Sequence, residues 1–160
     1  MAELAMNIFR KRLAAGDNAF STASTFFLML VSTEWLDQSD LEDFDVIGTT
    51  TTADFTTGHP IHYEPSTTSG YERQKLSTAW DVQQINASNR ADIDNANITF
   101  SSVSSGAGII GAAIMVLERA ANDSSGTELV GSYDTGFPVT PNGGDLTVQW
   151  STGGTNQLTS

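Results

Sequence analysis

The chain contains no cysteine, which excludes disulfides, thiolate metal sites and thiol nucleophiles and leaves packing and association as the sources of stability. It is also poor in positive charge. Seven Lys and Arg stand against nineteen Asp and Glu, a formal net charge of −12, so phosphate backbones and anionic lipid are repelled and no nucleic-acid partner is expected. Long apolar runs are missing as well. Residues 26–31 and 109–117 are the longest, and both fall far short of the ~20 residues that cross a bilayer as a helix, so no membrane partner is expected. The opening MAELAMNIFRKRLAAG has its charges after its apolar residues and no signal h-region. No cleaved leader is therefore expected, and the sequons at Asn86, Asn97 and Asn122 are expected to stay unmodified. With two histidines, His59 and His62, and no nucleophile elbow, a serine or cysteine hydrolase has almost nothing to be built from.

What is present is a light, polar, turn-rich composition. Charged residues make up only 16% of the 160 residues and hydrophobic ones 39%, with Ser, Thr, Asn and Gly filling much of the rest. Long exposed helices need many Glu, Lys and Arg, so strands and turns are favoured. The length predicts one module: an N-terminal arm or short helix over residues 1–16, then a single β-rich domain over 17–160. Leu4, Ile8 and Leu13 recur at roughly helical spacing before Gly16, a plausible helix stop. The stretch FSTASTFFLMLVST over residues 20–33 reads as a strand buried on at least one face, and residues 35–44 as an acidic helical turn or loop. Residues 46–57 read as strand plus loop, 61–64 as a short extended piece, and PSTTSG over 65–70 as a turn. Further strands are predicted at 97–103, with Ile98 and Phe100 on one face, and at 127–134, 145–150 and 157–158, with a turn-rich connection over 137–144. Short strands punctuated by turn residues about every ten residues predict a mainly β fold, a β-sandwich or barrel-like module.

The sharpest motif is Gly106-Ala107-Gly108-Ile109-Ile110-Gly111, which has the G-x-G-x-x-G spacing that cradles a dinucleotide pyrophosphate. A strand-like NITFSSV precedes it, an apolar IIGAAIMVLERAA follows, and Asp134 could pose as the ribose-binding acid. Against this, NITFSSV alternates where the first strand of a doubly wound sheet is continuously apolar. No further β-α-β units follow, and the residues upstream do not supply them either. A buried strand of small residues is the favoured reading. It would put Ile110, Ala112, Ile114 and Val116 on one face and Ile109, Ala113, Met115 and Leu117 on the other; a buried helix is its competitor.

Other constellations are weaker. His59 and His62, with Asp54 and Glu64 nearby in sequence, are possible metal ligands, but Pro60 holds the chain extended and tends to aim the two histidines apart. Asp37, Asp40, Glu42, Asp43 and Asp45 lack the calcium-loop pattern and read as a solvated turn, as does Asp92-Ile93-Asp94-Asn95. No catalytic, cofactor-binding or metal-ligating set is expected, and the chain is not expected to be an enzyme. Trp35, Trp80 and Trp150 read as core or interface residues.

Several phrases in fixed order resemble the head decoration (cement) and minor structural proteins of tailed bacteriophages. They are Tyr63-Glu64 followed by Gly70-Tyr71-Glu72-Arg73, then the Asp/Asn-rich lead over residues 91–100. The small-and-apolar stretch over 109–117 follows, then Tyr133-Asp134-Thr135-Gly136, residues 142–150, Gly154 and Leu158. The resemblance covers about the last hundred residues and favours a strand over a helix at 109–117. It implies a β-rich module on the outside of an icosahedral shell, with the major capsid protein as partner, the virion as location, and a homo-oligomer, trimer favoured. The apolar-and-basic opening, Leu4, Ile8, Phe9, Arg10, Lys11 and Arg12, is the candidate contact to the shell or a neighbouring copy on an otherwise acidic body. The alternatives are a tail-tube, tail-surface or receptor-binding virion protein and, remotely, a nucleotide-binding enzyme using Gly106 to Gly111.

Overall fold

A computed structural model of the chain describes residues 4–5, 15, 25–36, 63–76, 81–85, 90–118, 128–134, 136–149 and 157–159. Among these the fold is mainly β, as the composition predicts. Its elements are β1 (Leu4–Ala5), β2 (Thr25–Ser32), α1 (Thr33–Leu36), β3 (Gln74–Lys75), β4 (Asp81–Ile85), β5 (Arg90–Asp94), β6 (Ile98–Phe100), β7 (Ile110–Glu118), β8 (Glu128–Tyr133), β9 (Leu146–Gln149) and β10 (Gln157–Thr159). One sheet has the order β1-β8-β7-β2-β3 and a second β10-β9-β6, while β4 and β5 pair as a separate ribbon. All pairings are antiparallel. The five-stranded sheet ends at β1 on one side and β3 on the other, and these edges do not pair. Of the two predicted architectures the described residues therefore form a sandwich, not a closed barrel.

The centre is the β2–β7 pair. TFFLMLVS and IGAAIMVLE run side by side from Thr25 opposite Glu118 to Ser32 opposite Ile110. A strand flanked by neighbours and covered on both faces needs apolar residues at every position, and this is why neither segment alternates. Leu28, Leu30, Ala113 and Leu117 turn one way, into a core shared with Ile98, Phe100, Leu146 and Val148 of the smaller sheet. Met29, Val31, Ala112, Ile114 and Val116 turn the other way, into a second cluster with Leu129, Trp35 of α1 and Tyr63. Trp35, Phe100, Leu28, Met29 and Ile114 are completely enclosed. Each such aliphatic or aromatic side chain contributes about 1.5–3 kcal/mol relative to exposure.

One residue of β7 breaks the expected alternation of faces. Ile110 joins the first cluster with Ala113, Met115 and Leu117, and not the face of Ala112 and Ile114. The register explains it: Val31 faces Ala112 but Ser32 faces Ile110, which leaves Gly111 unpaired in a bulge. A bulge spends one residue without a partner, so the alternation restarts and Ile110 is returned to the other side. Ile109, expected in the core, precedes the strand and is 50% exposed. Gly111 is required there because a Cβ would stand 2.5 Å from the Thr33 Cα and 2.8 Å from the Thr33 nitrogen.

The smaller sheet follows the predicted alternation. Ile98 and Phe100 point inward and Thr99 outward, opposite Val148, Leu146 and Thr147 respectively. On the outer face the Thr99 and Thr147 hydroxyls meet at 3.0 Å, a cross-strand pair that adds to the ladder. The strand predicted over 97–103 ends at Phe100, because Ser101 and Ser102 turn and Ser102 takes φ 55°. Two further readings change. Asp92 and Asp94 sit in β5, opposite Gln83 and Asp81 of β4, so this stretch is hairpin strand and not an acidic turn. Tyr63 and Glu64 lie in a 3-10 turn and a bend, not in extended chain. The short helix at Thr33–Leu36 takes the start of the segment expected to be a helical turn, and residues 37–57 lie outside the described residues.

Candidate functional site

Three connections converge at the end of the sandwich where β7 begins and β2 ends. The first, residues 63–73, opens with a 3-10 turn at Thr67–Ser69, capped by Ser66, whose hydroxyl accepts from the Thr68 amide, and closed by Gly70 at φ 81°. A left-handed residue ends such a turn at little cost only when it is glycine. Here a Cβ would also stand 2.9 Å from the Ser102 carbonyl oxygen, so the same glycine lets the second connection, residues 101–109, close against the first. The Ser104 amide then donates to the Ser69 carbonyl at 2.9 Å. The third connection, residues 134–145, is tied in by Val103 N–H to Gly144 O at 3.1 Å and Gly143 N–H to Val103 O at 2.9 Å. The Asp145 carboxylate accepts from the Ser102 amide at 3.0 Å, which supports the uncommon backbone of Ser102.

Against these loops lies a partly buried polar constellation of Glu64, Tyr71 and Arg73. The Glu64 carboxylate accepts from Arg73 through both oxygens, from Nε at 2.6 Å and from the terminal nitrogen at 2.6 Å. Its Oε1 also accepts from the Tyr71 hydroxyl at 2.7 Å. The Tyr71 oxygen in turn accepts from the Leu30 amide at 3.1 Å. This amide lies on β2 beyond the two positions that β3 pairs, Phe27 and Leu28, so a side chain supplies the acceptor that a neighbouring strand would have offered. The Tyr71 ring stacks on Phe100 with centroids 5.8 Å apart. Burial, and then the negative charge of Glu64, push the Tyr71 hydroxyl well above the ordinary phenol range. The bond to Glu64 raises the Arg73 guanidinium further still. A carboxylate held by a two-point guanidinium and a phenol is a fastener: it locks loop 63–73 onto β2.

The sequence treated Glu64 as a possible partner of His59 and His62. The structure instead commits it to Arg73 and Tyr71, while His59, His62 and Asp54 lie outside the described residues. The readable signal was one arginine in an acidic chain, nine residues from a glutamate across a turn. Among the described residues no three His, Asp or Glu side chains gather into a metal-type cluster. The glycine motif also takes a different form from the one a pyrophosphate needs. Gly106 lies in a 3-10 turn at Ser105–Ala107, Gly108 follows it at φ 75°, and Gly111 is already inside β7. The dinucleotide fingerprint places its glycines between a strand and a helix whose N-terminus faces the phosphates. Here a strand follows, and of the three glycines Gly111 is the one packed closely, against Thr33, an arrangement that offers no helix N-terminus to a pyrophosphate.

Of the candidate contact residues, Leu4 is placed. With Ala5 it forms the edge strand β1, opposite Ser132 and Gly131 of β8, extended and not helical at these two positions. Ile8, Phe9, Arg10, Lys11 and Arg12 lie outside the described residues, as do the acids at 37–45, Trp80 and Trp150. No helix among the described residues is long and apolar enough to cross a membrane. Comparison with protein-family models, curated proteins and solved structures gives no match.

Proposed function

We propose that the chain is a virion structural protein, a decoration module on the outer surface of a bacteriophage head, with the major capsid protein as its partner. The observation that carries the reading is the ordered series of phrases from Tyr63-Glu64 to Leu158 that resembles that family. The places those phrases occupy support it. Glu64, Tyr71 and Arg73 form one fastener, Ile110–Glu118 is the central strand, and the turn before Leu146 pins the second connection. These are shape-holding chemistries, suited to a module that bridges neighbouring shell subunits under the outward pressure of packaged DNA.

Co-sedimentation of the purified chain with mature heads stripped of accessory proteins tests this. Saturable binding in many copies per head is expected; absence of the chain from the shell pellet sinks the capsid reading and redirects the search to tails. The basic segment Arg10-Lys11-Arg12 is the proposed grip. Because Leu4–Ala5 closes the β8 edge, deleting the first fifteen residues would also uncover that edge. The cleaner variant therefore replaces the three basic residues by Gln, with loss of sedimentation as the expected result.

A further inference from the structure

The three-loop end of the sandwich differs in charge from the rest of the chain. Residues 65–71, 95–117 and 135–144 contain no charged side chain, although the protein carries a net charge of −12. The acids of the three connections, Glu64, Glu72, Asp134 and Asp145, lie at their ends, and Asp145 turns its carboxylate to the Ser102 amide. Charge is left to the rim, where Glu64 is neutralised by Arg73 and Glu34 and Glu72 are exposed. Among the described residues, the end presents Thr67, Thr68, Ser101, Ser105, Pro138 and Ile109 to solvent, with Asp145 exposed at its margin. At 50% exposure, Ile109 is the exposed large hydrophobic among the described residues. A centre depleted of charge inside a charged rim is the compositional mark of a protein–protein contact.

We propose that this end is where a second copy of the chain docks. Two bodies of the same strong negative charge repel in most orientations, and an end whose centre is poor in charge lets them meet with least repulsion. The patch is also complementary to itself. Each serine or threonine hydroxyl both donates and accepts, so a hydroxyl surface satisfies its own image, which a surface of one charge sign cannot do. The exposed Ile109 supplies apolar area at the same place. Little is lost to ordering on contact, because backbone hydrogen bonds among residues 69, 103, 104, 143 and 144 already hold the loops. A glycan, the other hydroxyl-rich occupant, is less favoured: Tyr71 and Phe100 are 2% and 1% exposed, and Phe137 of the third loop packs against the core, so no aromatic ring stands fully open for a sugar to stack on.

The test is sedimentation velocity of the full chain over a range of protein and sodium chloride concentrations. Self-association that strengthens as salt screens the repulsion between acidic bodies is expected, opposite to a contact built on ion pairs. Ser105→Glu and Ile109→Glu each place like charges across the contact and are expected to weaken it about tenfold or more, with far-UV spectrum and Tm retained. Glu118→Gln, at the other end of β7, is expected to leave association intact. A monomer at every concentration and salt, or association unaffected by both glutamate variants, overturns the proposal. The inference stands apart from shell binding: a chain that self-associates but ignores shells keeps this and loses the capsid reading, and a chain that binds shells as a monomer does the reverse.

Discussion

Replacing Tyr71 by Phe removes a single oxygen and leaves the ring stacked on Phe100 at 5.8 Å, so the perturbation isolates the polar half of the fastener. Two bonds disappear, the one donated to Glu64 at 2.7 Å and the one accepted from the Leu30 amide at 3.1 Å. Leu30 is fully buried, so its amide has no water to turn to, at a cost of about 1–3 kcal/mol. A hydrogen bond to an ionised group contributes about 1.5–3 kcal/mol, and part of this survives because Arg73 still holds Glu64. That remaining pair is discounted for solvent, since the Arg73 and Glu64 side chains are 29% and 14% exposed. The expected loss is about 2–4 kcal/mol, or roughly 5–15 °C in Tm for a chain of this size. Urea unfolding of Tyr71→Phe, Glu64→Gln and the double variant measures it, and the cycle is expected to show coupling of about 1 kcal/mol. A Tyr71→Phe protein within about 0.5 kcal/mol of the parent would refute the claim that this hydroxyl terminates the β2 edge.

The same network predicts alkaline sensitivity. The folded-state pKa of Tyr71 is raised, so its contribution is complete below the unfolded phenol value near 10 and is lost as pH rises above it, by about 1.4 kcal/mol per pH unit. Stability measured between pH 9 and 12 is expected to fall less steeply in Tyr71→Phe, and identical slopes would count against a buried, protonated phenol. At the bulge, Gly111→Ala drives a methyl group to 2.5 Å from the Thr33 Cα, backbone that no rotamer change can move. A loss of about 1–3 kcal/mol is expected in thermal or urea unfolding, and an unchanged midpoint would argue against the bulge.

The division between what local sequence decides and what long-range packing decides is visible residue by residue. Thr67–Ser69 could be read from PSTTSG because its cap and its left-handed glycine lie within six consecutive residues. β6 could be read from the alternation of Ile98, Thr99 and Phe100, since one buried face imposes a period of two. The fastener was partly legible: its residues stood out as Glu64 and Gly70-Tyr71-Glu72-Arg73, but their geometry did not. Nothing local says that Tyr71 will end beneath the amide of Leu30, forty-one residues earlier in the chain.

By itself, then, the sequence determined the class of protein: cysteine-free, acidic, mainly β, with a central strand apolar at every position and turns written in Gly, Pro, Ser and Asn. Composition and short-range periodicity act over a few residues, and those properties need no more. Tertiary structure alone decided that the sheets stay open, that Gly111 bulges and sends Ile110 to the opposite face, and that three loops with uncharged centres meet at one end. Each depends on which distant backbone lies alongside, Thr33 against Gly111 or Ser102 against Gly70, and a contact between residues far apart in the chain has no counterpart in the spacing of neighbours.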